Sequence, residues 1–215
     1  SDVSKLIVDQ GFRSRLRTSS TISENLASLK ATVSIAQSGI SGISDLANNI
    51  QEKLILLAET GNTDGEQNSI RTDLESLLKQ AQSFVESSGF NNDNLIKSDA
   101  QDLTVAATND GENILVSSQG ALGAAVTALQ GAITNGGRIN DPVSILLNEF
   151  ETFEAELSNA AISLGEAERA ITLREDSNRD FQEAVIQNLG NILETDIARN
   201  GVKTLARTIQ TQLSN

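Results

Sequence analysis

Residues 22–57 constrain this chain more than any other stretch. Ile22, Leu26, Leu29, Val33, Ala36, Ile40, Ile43, Ala47, Ile50, Leu54 and Leu57 follow one another in alternating steps of four and three. That spacing is an unbroken heptad seam, and a run of about five heptads marks a long helix that packs in coiled-coil fashion. A narrow apolar stripe on one helix must be covered. The rest of the chain reads as its cover.

Composition removes whole classes of chemistry. The 215 residues include no Cys and no His. Disulfides, thiol nucleophiles, Ser-His-Asp and Cys-His catalysis and most zinc sites are therefore excluded. The net charge of −13 makes nucleic acid and anionic membrane surfaces poor partners. All six aromatic residues are Phe, which suits a thin aliphatic core. No apolar run is long enough for membrane insertion, and the opening residues do not read as a signal peptide. A start at Ser-Asp, with no Met anywhere, reads as a trimmed fragment.

Taken in order, residues 1–17 are mixed. Val3, Leu6, Ile7 and Phe12 read as a ragged start of the long helix, weakened by Gly11. Gly39 and Gly42, three apart within the seam, mark either close approach of a neighbour or an exposed weak spot. Residues 61–65, Gly-Asn-Thr-Asp-Gly, form a turn. Asp64 and Glu66 there are too few to make a metal loop, which needs more ligands at set intervals. Ile70, Leu74, Leu77, Ala81 and Phe84 repeat the four-three spacing, and so short a connection makes this second helix antiparallel to the first. Gly89 reads as its C-cap glycine, followed by a polar turn with apolar ends at 90–96. Leu103, Val105 and Ala107 alternate, as do Ile114 and Val116. With Asn109-Asp110-Gly111 between them they predict a β-hairpin, which must pack on the helices to be stable.

The Ala- and Gly-rich residues 121–133 read either as a loose helix or as a loop that meets another subunit, and Asn135-Gly136-Gly137 breaks them. Asp141-Pro142 has the form of an N-cap and first helical residue. The last long helix carries Leu146, Phe150, Phe153, Leu157, Ala160, Leu164, Ala167 and Ile171 on its seam. Arg174 and Asn178 follow on the same line, either fixing register or marking the end of the partner helix. Phe181, Val185 and Ile192 resume the seam, and Gly201 interrupts before an amphipathic piece at 202–213. The fold class is therefore mainly α: an elongated antiparallel helical bundle, a coiled-coil rod, with one small β-hairpin. Glu149, Glu151, Glu154 and Glu156 lie close in sequence, and paired acids hydrolyse glycosides. A solvated helix face explains them more simply. The hydroxyl residues have no visible base, there is no phosphate-binding glycine loop, and the chain does not read as an enzyme. No cofactor or metal is expected.

The order of these motifs resembles the conserved helical core of bacterial flagellin. Where that family has a Phe-Asn-Gly segment with an apolar pair, this chain has Phe90-Asn91-Asn92 and then Leu95-Ile96. Where it has a hairpin with a Gly-Ala-Asn-rich turn and a glutamate on the return, this chain has residues 103–117 with Asn109-Asp110-Gly111-Glu112 at the tip. Leu164-Gly165-Glu166, the polar run from Arg174 to Asn178, and Glu194-Thr195-Asp196-Ile197-Ala198 stand at three further family motifs. The resemblance covers nearly the whole chain and implies a single domain over 1–215. Within it, N-terminal helices occupy 1–89, the hairpin and a short variable region 90–140, and the long C-terminal helix 141–215. It implies a filament subunit exported through the flagellar channel and located outside the cell. The implied partners are other copies of itself, hook-associated proteins and an export chaperone, with neither nucleic acid nor membrane insertion. The family's large outer domain is absent, and its terminal core helices look missing or nearly so.

Two other readings stay open. One is the hook–filament junction protein, which shares the core. The other is a helical partner-binding module such as a secretion chaperone, against which the hairpin tip and Phe-Asn segment argue. The family's first helix usually carries Leu-Gln-Arg-apolar-Arg-Glu-Leu-Ala near its end, in a stretch that serves subunit packing and recognition by an innate immune receptor. Asn49, Gln51, Glu52 and Lys53 fall there, with Asp73 at the second-helix glutamate. Both arginines are lost and the anchoring leucine is Lys53, which implies weak recognition.

Overall fold

The computed structural model describes residues 2–134 and 138–213. The break read at Asn135-Gly136-Gly137 lies outside them. Helix α1 (Asp2–Ala58) runs unbroken through its mixed opening and Gly11. Its 57 residues span about 85 Å at 1.5 Å per residue. Every residue of its heptad seam is buried. Helix α2 (Asp64–Ser87) returns antiparallel, so that Asp73 meets Lys53, Phe84 meets Gly42 and Ser88 meets Gly39.

The turn between them ends earlier than its composition predicts, because Thr63 caps α2 and draws Asp64 and Gly65 into the helix. The Thr63 hydroxyl accepts from the Glu66 amide, and the Glu66 carboxylate accepts from the Thr63 amide. This reciprocal box satisfies two donors that a helix start otherwise leaves open. The backbone bond, and then the hydroxyl bond, hold the Glu66 carboxyl below its usual pKa range. Glu66 is thus occupied as a cap.

The α2 seam is shifted from the predicted one. Leu74, Leu78, Ala81 and Val85 are buried, Ile70 and Leu77 are half-buried, and Phe84 is 38% exposed. The reason is that α2 packs on two helices, α1 and α3. A two-sided contact needs a broader apolar face than a single seam. Gly89 is not a left-handed cap either. Ser88 ends α2, and Gly89 enters a two-residue strand, β1 (Gly89–Phe90), paired with β2 (Asp93–Asn94). Asn91 and Asn92, both at positive φ, make the tight turn between them. The Asn94 side chain then folds the chain back onto α2. Its amide donates to the Val85 carbonyl at the end of α2, and its oxygen accepts from the Ile96 and Lys97 amides. That bend drives Leu95 and Ile96 into full burial.

The predicted hairpin is present as β3 (Leu103–Ala106) and β4 (Asn113–Val116), in register Leu103 to Val116 and Val105 to Ile114. Its tip is a four-residue loop closed by the Ala107 amide on the Glu112 carbonyl, with Gly111 at φ +90°. Residues 121–133 are helical, within α3 (Gly120–Thr134). Asp141 and Pro142 open α4 (Pro142–Ile145) as read, the Asp141 side chain accepting from the Ser144 amide. A π-helical turn (Leu146–Phe150) leads into α5 (Glu151–Leu213), which runs through Gly201 without interruption. The π-turn corrects the predicted seam at its start. Its five-residue step places Ile145 and Phe150 both in the core, and leaves Leu146 half-buried. The rest of that seam, Phe153 through Ile171, faces α1 as predicted.

Helices α1 and α5 are antiparallel. Gln37 bonds to Glu168, Lys30 to Glu175 and Ser23 to Gln182. The Glu175 hydrogen bond is the main cause of the raised Lys30 pKa. The two seam glycines mark close approaches of unequal stiffness. A Cβ on Gly39 would lie 1.9 Å from Ser88 Oγ and 2.9 Å from Ser88 Cβ, on a side chain fixed to the Phe84 carbonyl. A Cβ on Gly42 would meet the Phe84 ring at 2.7 Å, and that ring borders solvent. We expect Gly39→Ala to cost about 1–3 kcal/mol despite its better helix propensity, and Gly42→Ala to be close to neutral. Denaturant melts of the two variants compare them directly. Equal losses would show that both neighbours yield alike.

Candidate assembly surface

The hairpin lies along the groove between the two long helices. Strand β3 packs on α1 beside Asn25, Leu29 and Thr32, and β4 packs towards α5. Alternation sends Val105, Ala107, Ile114 and Val116 inward and leaves Leu115 exposed. Two polar contacts fix the hairpin's long axis on α5. At its base the Gln119 amide donates to Ser163 Oγ at 2.9 Å, and at its tip Glu112 pairs with Arg174 at 3.4 Å. Arg174, a break in the apolar seam, is therefore the α5 residue that holds the hairpin tip.

Asn178 has a different task. It is 5% exposed, and its amide donates to the Ser19 carbonyl and to Ser23 Oγ, each at 2.8 Å. Its oxygen accepts from the fully buried Ser19 hydroxyl, and Gln182 adds a bond to Ser23. Four polar side chains thus satisfy one another across α1 and α5. A single buried amide on a helical seam is satisfied in one register only. Ser19 went unread although it sits three residues before Ile22, on the same seam. Polar residues at matching ends of both seams were the available signal.

The polar cross-link also marks a change of surface. Residues 19–178 carry eight basic and twenty-three acidic side chains, whereas residues 1–18 and 179–215 together carry eight basic and six acidic ones. The net −13 therefore resides wholly in the body of the rod. Beyond the cross-link, Leu6, Ile7, Val8, Ile186, Val202 and Leu205 are exposed. A neutral-to-basic end with exposed apolar residues opposes association less than an acidic body does.

The sequence-predicted contact residues occupy the opposite half of the rod. Lys53 and Asp73 are brought together across α1 and α2, Nζ to Oδ2 at 2.6 Å. Glu52 is exposed and Gln51 half-buried. Asn49 is exposed, with a long bond of 3.5 Å to the Asp45 carbonyl. Ile50 and Leu54 between them are fully buried. Of the five, only Lys53 and Asp73 are brought together; Gln51, two residues before Lys53 on α1, lies on the other side of the Ile50–Leu54 line from it. Among the described residues no cluster of Asp and Glu is placed to hold a metal, and no helix is long and apolar enough to cross a membrane.

Residues 1–101 match the family model of the bacterial flagellin N-terminal helical region. Among solved structures, the chain is similar to Bacillus cereus flagellin at 10% identity and a TM-score of 0.58, over 72% of this chain and 88% of that one. It is also similar to a chain described as a flagellar hook-associated protein from Vibrio parahaemolyticus, at 15% identity and a TM-score of 0.65, over 87% of this chain and 95% of that one. No curated protein matches it. The resemblance read from the motifs is borne out in its N-terminal half, and the rod is a fold found in flagellar structural proteins.

Removing the Asn178 amide would strand Ser19 and Ser23 inside the seam. We expect Asn178→Ala to cost about 1–3 kcal/mol. The paired change Ser19→Ala with Asn178→Leu should recover most of that, since no polar group is left unpaired. Chemical denaturation of the two variants checks both figures. A paired variant no better than Asn178→Ala would mean that packing, not hydrogen bonding, is what Asn178 supplies.

Proposed function

We propose that this chain is a structural subunit of the bacterial flagellar filament, exported from the cell and held to its copies through the helical rod and the ends of α1 and α5. The observation that carries the reading is the flagellin-type region over residues 1–101, laid on the helix whose seam organises the rod. The separation of an acidic body from an apolar, weakly basic end supports it. Such a chain stays dispersed through the body while its ends seek cover. The expected partners are further copies, hook-associated proteins and an export chaperone.

A second reading is the hook–filament junction. It is favoured by the wider overlap and higher TM-score with the Vibrio parahaemolyticus hook-associated chain than with Bacillus cereus flagellin. Gold labelling of the tagged, full-length gene product on isolated flagella separates the two. Label along the filament is the expected result. Label only at the hook end would replace it with the junction reading, and absence of label from flagella would sink both.

The set Asn49, Gln51, Glu52, Lys53 and Asp73 is proposed as the counterpart of the family's receptor-binding stretch. An arginine there offers a planar fork for carboxylates, and a leucine an apolar anchor. Here Asn49 is uncharged and the Lys53 ammonium is held by Asp73. We expect weak or absent receptor activation, with Asn49→Arg and Lys53→Leu together recovering roughly thirtyfold in potency or more. A reporter-cell titration of both proteins measures it. Wild-type potency equal to that of an arginine-containing flagellin would refute the assignment.

A further inference from the structure

Where α3 runs beside the start of α5, a surface groove of about 560 Å³ opens near the end of the rod opposite the chain termini. Ala125, Ala128 and Leu147 give it an apolar floor, and Leu147 is 66% exposed. Glu149, Glu151 and Glu156 form its rim, Glu149 being paired with Arg138. An apolar floor with an acidic rim selects a basic amphipathic helix.

The same chain presents such a helix at its other end. The start of α1 carries Leu6 and Ile7, exposed, then Arg13, Arg15 and Arg17, also exposed, with Arg13 paired to Asp9 one turn earlier. Phe12, Leu16 and the buried Ser19 turn towards α5, so Leu6, Gln10, Arg13 and Arg17, at steps of four and three, lie on the outer face. The stretch from Leu6 to Arg17 is about 16 Å long, against about 10 Å from Glu149 to Glu156, so one helix end can cover the floor and reach the rim.

Resting on the reading of the chain as a self-assembling flagellar subunit, we propose that the α3–α5 groove receives the start of α1 from a second copy. Leu6 would cover Leu147 and the alanines, and Arg13 and Arg17 would meet the glutamates. Because groove and occupant are different surfaces at opposite ends, the contact is heterologous and head-to-tail, and it extends without closing.

The chain has no cysteine, so introduced thiols report on one contact at a time. Thr152, exposed in the groove, and Gln10, exposed on α1, are changed as Thr152→Cys and Gln10→Cys in separate proteins, which are mixed under oxidising glutathione. Ser83→Cys, on the exposed side of α2, replaces Gln10→Cys as the control. The mixed disulfide should exceed the control by roughly tenfold at low salt and fall towards it at high salt, because exposed charges are screened. Glu151→Lys with Glu156→Lys on the Thr152→Cys protein should bring it to control level, and Arg13→Glu with Arg17→Glu on the Gln10→Cys protein should restore it. Yield equal to the control at low salt would overturn the proposal. So would a charge swap that fails to restore yield while helical circular dichroism is unchanged. Filament labelling that persists without the cross-link would remove this contact alone, whereas a cross-link without flagellar labelling would remove the filament reading alone.

Discussion

The burial of one apolar seam on α1 is the constraint on which the rest of the structure depends. No single element covers it. Helix α5 lies along it, α2 covers its later half, the hairpin closes over its earlier half near Leu29, and Leu95 and Ile96 fill the gap between. Each cover is narrow. The helices α2 and α5 each offer one face, and the hairpin offers one side of two four-residue strands. An isolated hairpin of that size is marginal at best, so it exists because the α1–α5 groove exists. The core is correspondingly thin, one aliphatic layer with Phe150 and Phe153 as its bulk at the far end.

The seams on α1 and on α5 from Phe150 onward were legible because a single facing helix imposes a single period, and nothing else competes for those positions. The reading failed where a second neighbour or a non-α turn intervened. Helix α2 faces both α1 and α3, so it keeps Leu74 and Ala81 of the one-sided seam but buries Leu78 and Val85 more deeply than Leu77 and Phe84. The π-turn before α5 moves the buried residue from Leu146 to Ile145, and no local propensity announces a five-residue step. Gly201 lies in the middle of α5: one glycine costs about 1 kcal/mol in a helix interior, which a 63-residue helix absorbs. The caps divide in the same way. Asp141-Pro142 was legible from two adjacent residues, whereas Thr63 needed Glu66 to be read with it, and Asn94 acts on carbonyl and amide groups brought together only by folding.

The candidate contact residues were legible in place but not in geometry. Heptad phase puts Asn49, Gln51, Glu52 and Lys53 off the α1 seam, and they are off it. What phase does not give is the Lys53–Asp73 pair, which depends on how far α2 slides along α1. That slide is set by Gly39 and Gly42, the two places where α1 has no side chain to hold Ser88 and Phe84 away. The register of α1 against α5 is set in a second way, by a polar cluster rather than by small residues. A seam built from aliphatic side chains tolerates a slip of one heptad, because Leu meets Leu again. Asn178 does not tolerate it, because Ser19 and Ser23 occur once.

Cover over α1 thins from one end of the rod to the other, and the charge distribution changes with it. Towards residue 57 the seam is flanked by α2, α4 and the π-turn; in the middle it is flanked by the hairpin and α5; before Ser19, the half-buried Phe12 and Leu16 are backed, among the described residues, by α5 alone. Local opening is easiest where buried apolar contacts are fewest, so order should weaken past the polar cross-link. That is where the sequence withdraws its acidic residues and leaves apolar ones exposed. The two gradients have a common physical consequence. Like charge keeps the well-packed body soluble without help from neighbours, while the end that lacks both that excess of negative charge and cover gains most when another surface is laid on it.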